Sequence, residues 1–260
     1  MMDLGDGAAR LARSRAVLFD WDGCLSNGGR LLPGARELLQ ALGARAFILS
    51  NNSTSQPRDL VRLLADQHVR FDIDRVFLAG HQTLCRQAIT AMGQSIHLVA
   101  SPAMTAFAAA MGIGLSGEPR TVVLLRDTSF TFDKLEAAAN ALRRCGKLVV
   151  ANPDLTHPGV DGAVVPETGA LQAAIAACLD GAPVDIEVIG KPGPFLFETA
   201  LARAGVAPHE AVMLGDNPTT DGLGARAVGV PFIQIEPGGA VDMAGLAARL
   251  LDPPIRSGTV

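Results

Sequence analysis

The segment Val17-Leu18-Phe19-Asp20-Trp21-Asp22-Gly23 is an apolar run that stops abruptly at two carboxylates flanking one bulky residue. Strands buried on both faces read as short continuous apolar runs, and ligand sites lie just beyond their carboxyl ends. With the strand's period of two carried to its end, Asp20 and Asp22 face one side and Trp21 the other. Gly23 then supplies the backbone freedom to turn away. Two carboxylates held together repel each other unless a cation or a shared proton relieves them. The pair therefore points to a divalent metal, a shared proton, or both. A plain Asp-Gly turn at a strand end accounts for the same residues without any chemistry.

Three further polar segments follow apolar runs: Ser50-Asn51-Asn52-Ser53-Thr54, Gly190-Lys191-Pro192-Gly193, and Gly215-Asp216-Asn217-Pro218-Thr219-Thr220-Asp221-Gly222. Each also has a purely structural account. The first could cap a helix near Pro57, the second could be a turn with a solvated lysine, and Asp221 could cap or orient the helix after it. Taken together, the four loops bring carboxylates, hydroxyl and amide donors, and a lysine to the ends of apolar strands. The expectation is that they share one rim of one sheet. Four independent turns would not need that mixture.

The elements that must position these groups alternate along the chain. Apolar runs predict strands at Ala16–Phe19, Ala46–Leu49, Val76–Leu78, Ile96–Val99, Val122–Leu125, Leu148–Ala151, Ile186–Ile189, Val212–Leu214 and Phe232–Ile235. Helical patterns fall between them, at Ala35–Leu42, Arg58–Asp66, Phe132–Arg144 and Leu196–Ala204. This alternation predicts an α/β fold with mostly parallel sheets. About 140 residues separate Asn52 from Lys191, far more than one crossover requires. That interval has its own strand–helix pattern and reads as an inserted domain. Punctuation at Ala79-Gly80 and Asp180-Gly181-Ala182-Pro183 marks the hinges. The expected division is a discontinuous core of residues 1–79 and 186–260, with residues 80–185 inserted.

Composition excludes several classes. With 48% hydrophobic and 18% charged residues, the 260-residue chain is globular and not disordered. A net charge of −4 gives no electrostatic footprint for nucleic acid. Cys24, Cys85, Cys145 and Cys178 are scattered with no CxxC pair, which fits reduced thiols in a cytoplasmic protein. No apolar stretch approaches the roughly 18 residues that span a bilayer, so no membrane partner is expected. Residues 1–15 mix Asp3 and Asp6 with arginines and lack an apolar stretch, so they read as a lead-in with a short amphipathic piece and not as a signal peptide. The five histidines show no zinc-binding spacing.

The four loops, in this order, resemble the haloacid dehalogenase superfamily of phosphohydrolases. Phe19-Asp20-Trp21-Asp22-Gly23 matches its first motif, Ile48-Leu49-Ser50-Asn51-Asn52 its second, Gly190-Lys191-Pro192 its third, and Leu214-Gly215-Asp216-Asn217-Pro218-Thr219-Thr220-Asp221 its fourth. Leu32-Pro33-Gly34-Ala35, Ala151-Asn152-Pro153-Asp154 and Ala225 to Val230 extend the likeness to the NagD-like phosphatases, subfamily IIA, with a C2-type cap. The resemblance implies a Rossmann-like core with an inserted α/β cap. It departs at Glu167, where a glycine is common, and at Leu125-Arg126-Asp127, which replaces a more glycine-containing strand end. Both departures lie in the cap, which in this family helps select the substrate.

The resemblance implies a Mg²⁺-dependent hydrolase of a small phosphomonoester. Asp20 is the expected nucleophile, forming an aspartyl-phosphate, and Asp22 the general acid and base. Mg²⁺ would be held by the Asp20 side chain, the Asp22 carbonyl and the Asp216 side chain, with Asn217 and Asp221 outside them. Lys191, Ser50 and Asn51 would contact the phosphoryl group together with Gly23, and Asn52 would be nearby or structural. Arg126, Asn152, Asp154 and His157 are the polar cap candidates, each with a loop-capping or solvated-charge alternative. Related proteins often dimerise through the cap, which makes a homodimer one expectation. Sugar phosphates, nucleoside monophosphates, phosphoglycolate and pyridoxal phosphate all remain open as substrates. A phosphotransferase or mutase on the same scaffold, or a non-catalytic phosphometabolite-binding protein, are the competing readings. A dehalogenase fits less well, because halide departure needs no acid such as Asp22.

Overall fold

Two parallel sheets account for most of the apolar runs, one in each of the two compact units into which the chain divides. A computed structural model describes residues 3–91, 93–158 and 163–252. One unit comprises Met1–Ser50, Arg58–Phe77 and Phe197–Val260, and the other Asn51–Pro57 and Leu78–Leu196.

In the first unit the strands lie in the order Phe232–Gln234, Ala211–Gly215, Ala16–Phe19, Ala46–Ser50, Val76–Leu78. Ala16–Phe19 runs parallel to both neighbours, with Phe19 opposite Leu214 on one side and Ile48 on the other. Phe232–Gln234 is parallel to Ala211–Gly215. All four residues of Ala16–Phe19 are fully buried, which is why the run is uniformly apolar and not alternating. The chain leaves this central strand toward Ala46–Ser50 and later returns on its other side at Ala211–Gly215. That reversal makes a topological switch point, where a parallel sheet opens a crevice at its carboxyl edge. Asp20 and Asp216 leave the two strands that flank it.

Local signals fix the surrounding helices. Leu4–Arg13 begins at Asp3, whose Oδ1 accepts the Asp6 N–H at 2.8 Å, and it buries Leu11. Ala35–Leu42 buries Leu38, Leu39 and Leu42 along one face.

The second unit holds a four-stranded parallel sheet, ordered Asp185–Val188, Lys147–Val150, Thr121–Leu124, Ile96–Val99. Its two faces carry separate cores. Val123 and Val149 join Leu84 and Met104 on one side, while Val122, Leu124, Leu148 and Val150 join Leu142 and Ile175 on the other. This is the strand period of two with both faces covered. Two short antiparallel pairs, Ser26–Asn27 with Arg30–Leu31 and Thr156–Pro158 with Val164–Pro166, leave no apolar-run signature in the sequence.

One expectation changes. The strand before Lys191 spans Asp185–Val188 and pairs with Lys147–Val150, placing Ile186 opposite Leu148 and Val188 opposite Val150. It therefore belongs to the second sheet, and the four loops do not all leave one rim of one sheet. The segment Asp185-Ile186-Glu187-Val188 alternates because it is a partly exposed edge strand, and that alternation does not say which sheet it joins. Among the described residues, no helix is long and apolar enough to cross a membrane.

Candidate active site

In the first unit, Asp20, Ser50 and Asp216 emerge from the carboxyl ends of three adjacent strands. Asp20 is buried, and its N–H donates to the Leu214 carbonyl at 2.9 Å, which continues the ladder by one residue. Ser50 ends its own strand and is 1% exposed. Asp22 is exposed and bridges to Ser26, in a turn closed by Ser26 N–H donating to Trp21 O at 2.8 Å. Trp21, between the two aspartates, is buried. Cys24 is buried with its thiol toward the Leu214 carbonyl, a packing role.

Asp20, Asp216 and Asp221 converge. One carboxylate oxygen from each lies within 4.8 Å of the others. Two glycines allow this. Gly23 has φ +84°, and a Cβ there would collide with the Asp216 carboxylate. A Cβ on Gly215 would collide with the Asp221 carboxylate. Asp221 sits in a single wide turn, Pro218–Gly222, and its Oδ2 accepts the Asn217 N–H at 3.2 Å. Its carboxylate thus reaches back toward the strand end. Asn217, exposed, caps the turn through Oδ1, which accepts Thr219 N–H at 2.9 Å. Three carboxylates this close repel one another, and a small divalent cation that prefers hard oxygen donors fits such a set.

The second unit collects another group of the expected residues. Lys191 is 2% exposed. Its N–H donates to Asn51 Oδ1 at 2.8 Å, and its carbonyl accepts Asn51 Nδ2 at 2.9 Å. Asn51 Nδ2 also donates to Asp154 Oδ2 at 2.9 Å. Asn152 is buried, and its Nδ2 donates to the Asn51 carbonyl at 2.8 Å and to Thr168 Oγ1 at 3.1 Å. Asn52 Oδ1 accepts the N–H groups of Thr54 and Ser55, a turn leading into the helix Pro57–Asp66.

Arg126 and His157 meet at one carboxylate. Glu167 Oε1 lies 3.5 Å from Arg126 Nη1 and 2.7 Å from His157 Nδ1. Sequence reasoning missed Ser53 and Thr168, both buried, whose hydroxyls are 3.2 Å apart. Ser53 Oγ also accepts the Arg126 N–H at 3.0 Å. These partners lie 73 and 115 residues away from Ser53, and no short motif links them.

Comparisons with known proteins place the chain in a family. A family model for haloacid dehalogenase-like hydrolases matches residues 14–229. Chronophin of Homo sapiens is 32% identical over 243 residues, spanning 86% of this chain and 81% of its own. Dihydroxyacetone phosphatase of Corynebacterium glutamicum is 28% identical over 227 residues, with the same two coverages of 86% and 81%. The crystal structure of 4-nitrophenylphosphatase from Thermotoga maritima superposes with a TM-score of 0.83 at 26% identity, covering 93% of this chain and 99% of that one. The chain thus belongs to the haloacid dehalogenase-like hydrolases, as a phosphatase of their NagD-like branch.

Proposed function

We propose that the protein is a Mg²⁺-dependent phosphatase that hydrolyses a small phosphomonoester through an aspartyl-phosphate on Asp20. The observation that carries this reading is the convergence of Asp20, Asp216 and Asp221 at the carboxyl edge of the first sheet. Phosphoryl transfer is governed by positioning and charge neutralisation, and an in-line carboxylate can serve as nucleophile. The Asp20 side chain, the Asp22 carbonyl and the Asp216 side chain would hold Mg²⁺, with Asp221 orienting that group. Bound there, Mg²⁺ would neutralise charge on the transferring phosphoryl oxygens.

The chain's own residues do the rest. Asp20 attacks phosphorus, and the bond to the leaving alkoxide breaks as Asp22 donates a proton to it. Asp22 then takes a proton from the water that attacks the aspartyl-phosphate, which restores the free carboxylate of Asp20. Its exposure suits a group that must exchange protons with substrate and solvent. Ser50 and the Asn51 main chain donate to phosphoryl oxygens, and Lys191 offsets their charge as a compact cation.

Leaving-group choice belongs to the second unit, where Arg126, Glu167 and His157 form a charged group. The named activity of dihydroxyacetone phosphatase makes a short phosphorylated sugar the first class to try. Phosphate release across a panel of phosphorylated metabolites, with and without Mg²⁺, tests the reading. Mg²⁺-dependent release from at least one small ester is expected. Binding of a phosphorylated ligand with no Mg²⁺-dependent release from any member contradicts it.

A further inference from the structure

The side-chain amide of Asn51 has two N–H donors and one carbonyl, and the structure uses all three inside the second unit. Oδ1 accepts the Lys191 N–H, and Nδ2 divides its hydrogens between the Lys191 carbonyl and Asp154 Oδ2. Both main-chain polar groups of Lys191 are therefore held by one side chain 140 residues away. The pattern resembles one rung of a strand pair, and it fixes the Lys191 backbone as a rung would. No side-chain N–H of Asn51 is left to meet a phosphoryl oxygen.

The Lys191 N–H and carbonyl already fix which way the amide points, and a second contact braces it. Asp154 Oδ2 accepts from Nδ2 and so holds the nitrogen end of the amide on its side. The flipped amide would set its oxygen against both the Asp154 carboxylate and the Lys191 carbonyl. Asn152 closes a ring around this arrangement: its Oδ1 accepts the Asp154 N–H at 3.1 Å while its Nδ2 holds the Asn51 carbonyl. Asn51, Asp154 and Asn152 are thus locked to one another as well as to Lys191.

We infer that Asn51 is the positioning residue of Lys191, and that Asp154 braces the Asn51 amide in the orientation that holds it. Asn51 then contributes to phosphate only through its main chain, and Asp154 acts through Asn51 and not on the leaving group. The inference rests on the reading of Lys191 as the charge partner of the phosphate. A buried cation helps only where its ammonium meets the developing charge, so a displaced backbone lowers kcat more than it weakens ground-state binding.

The test is steady-state turnover of p-nitrophenyl phosphate by Asn51→Asp, Asp154→Asn, the double variant and Lys191→Met, with thermal melts of each. Asn51→Asp places an acceptor against the Lys191 carbonyl and the Asp154 carboxylate. Its kcat should fall on the order of 100-fold with KM within about threefold. Adding Asp154→Asn supplies a donor to the new carboxylate and should recover about 10-fold, a coupling that a general loss of stability would not produce. Asp154→Asn alone should lower kcat about 10-fold, and this single variant carries the test if Asn51→Asp does not fold. An inactive Lys191→Met alongside Asn51→Asp or Asp154→Asn at parental kcat overturns the positioning role and leaves the Lys191 reading intact. Parental activity in Lys191→Met overturns that reading itself, and the inference with it.

Discussion

Glu167 Oε1 and Arg126 Nη1 face each other at 3.5 Å in the second unit, 41 residues apart in the chain. The same Glu167 oxygen meets His157 at 2.7 Å. One carboxylate oxygen is therefore the shared partner of Arg126 and His157.

Replacing the acid tests that assignment. Glu167→Gly removes the shared acceptor and leaves Arg126 to find another anion. We expect the ratio of kcat/KM for esters with a carboxylate-bearing leaving group, relative to neutral ones, to rise about 10-fold. Turnover of p-nitrophenyl phosphate should change far less. An unchanged ranking across the metabolite panel would remove this trio from substrate selection.

The carboxylate cluster depends on a missing Cβ. Gly215→Ala should push Asp221 out of reach of Asp20 and Asp216, since the new methyl falls on its carboxylate. Overpacking of this kind costs about 1–3 kcal/mol, visible as a lower Tm. The Mg²⁺ concentration for half-maximal activity should rise about 10- to 100-fold, as for lost support of a metal site. In the parent, a chelator should abolish activity and added Mg²⁺ should restore it. Activity that survives exhaustive chelation would contradict the metal assignment.

Stability should carry an acid-sensitive contribution from Asp127. Burial pushes its carboxyl up, but hydrogen bonds from Lys134 and Ser129 outweigh this and hold it below the usual carboxylate value. Lys134 Nζ lies 2.6 Å from Oδ2, and Ser129 gives N–H and O–H bonds to Oδ1 at 2.9 and 2.8 Å. A depressed carboxyl adds stability above its unfolded value of about 3.9, and loses it as pH falls through the folded value. Lys134→Met should therefore destabilise near neutral pH, by about 1–3 kcal/mol. The gap from the parent should close below about pH 4. Thermal melts between pH 7 and 3 read this directly, and a gap that widens toward acid would contradict it.

Much of the fold was legible because its strands are covered on both faces. Val17, Leu18 and Phe19, or Val122 to Leu125, cannot alternate with polar residues when neither side meets water. The carboxylates were legible as the polar residues at which such runs stop. Sheet membership was not, because the alternating Asp185-Ile186-Glu187-Val188 of a partly exposed edge strand would fit the edge of either sheet. The partners of the Asn51 side chain were not legible either, because side-chain type records what an amide can bond and not which partner reaches it first. Only the fold brings Lys191 and Asp154 to it. Asp221 entered the carboxylate cluster through a wide turn that its own sequence does not announce.

The central claim is that Asp20 attacks phosphorus. Turnover of p-nitrophenyl phosphate by Asp20→Asn, at saturating Mg²⁺ and with a thermal melt showing a retained fold, tests it most directly. The amide keeps the shape of the side chain but is too weak a nucleophile to form the acyl phosphate. The account predicts a loss of at least about 10³-fold in kcat. Activity within a few-fold of the parent, from a folded Asp20→Asn variant, would contradict it.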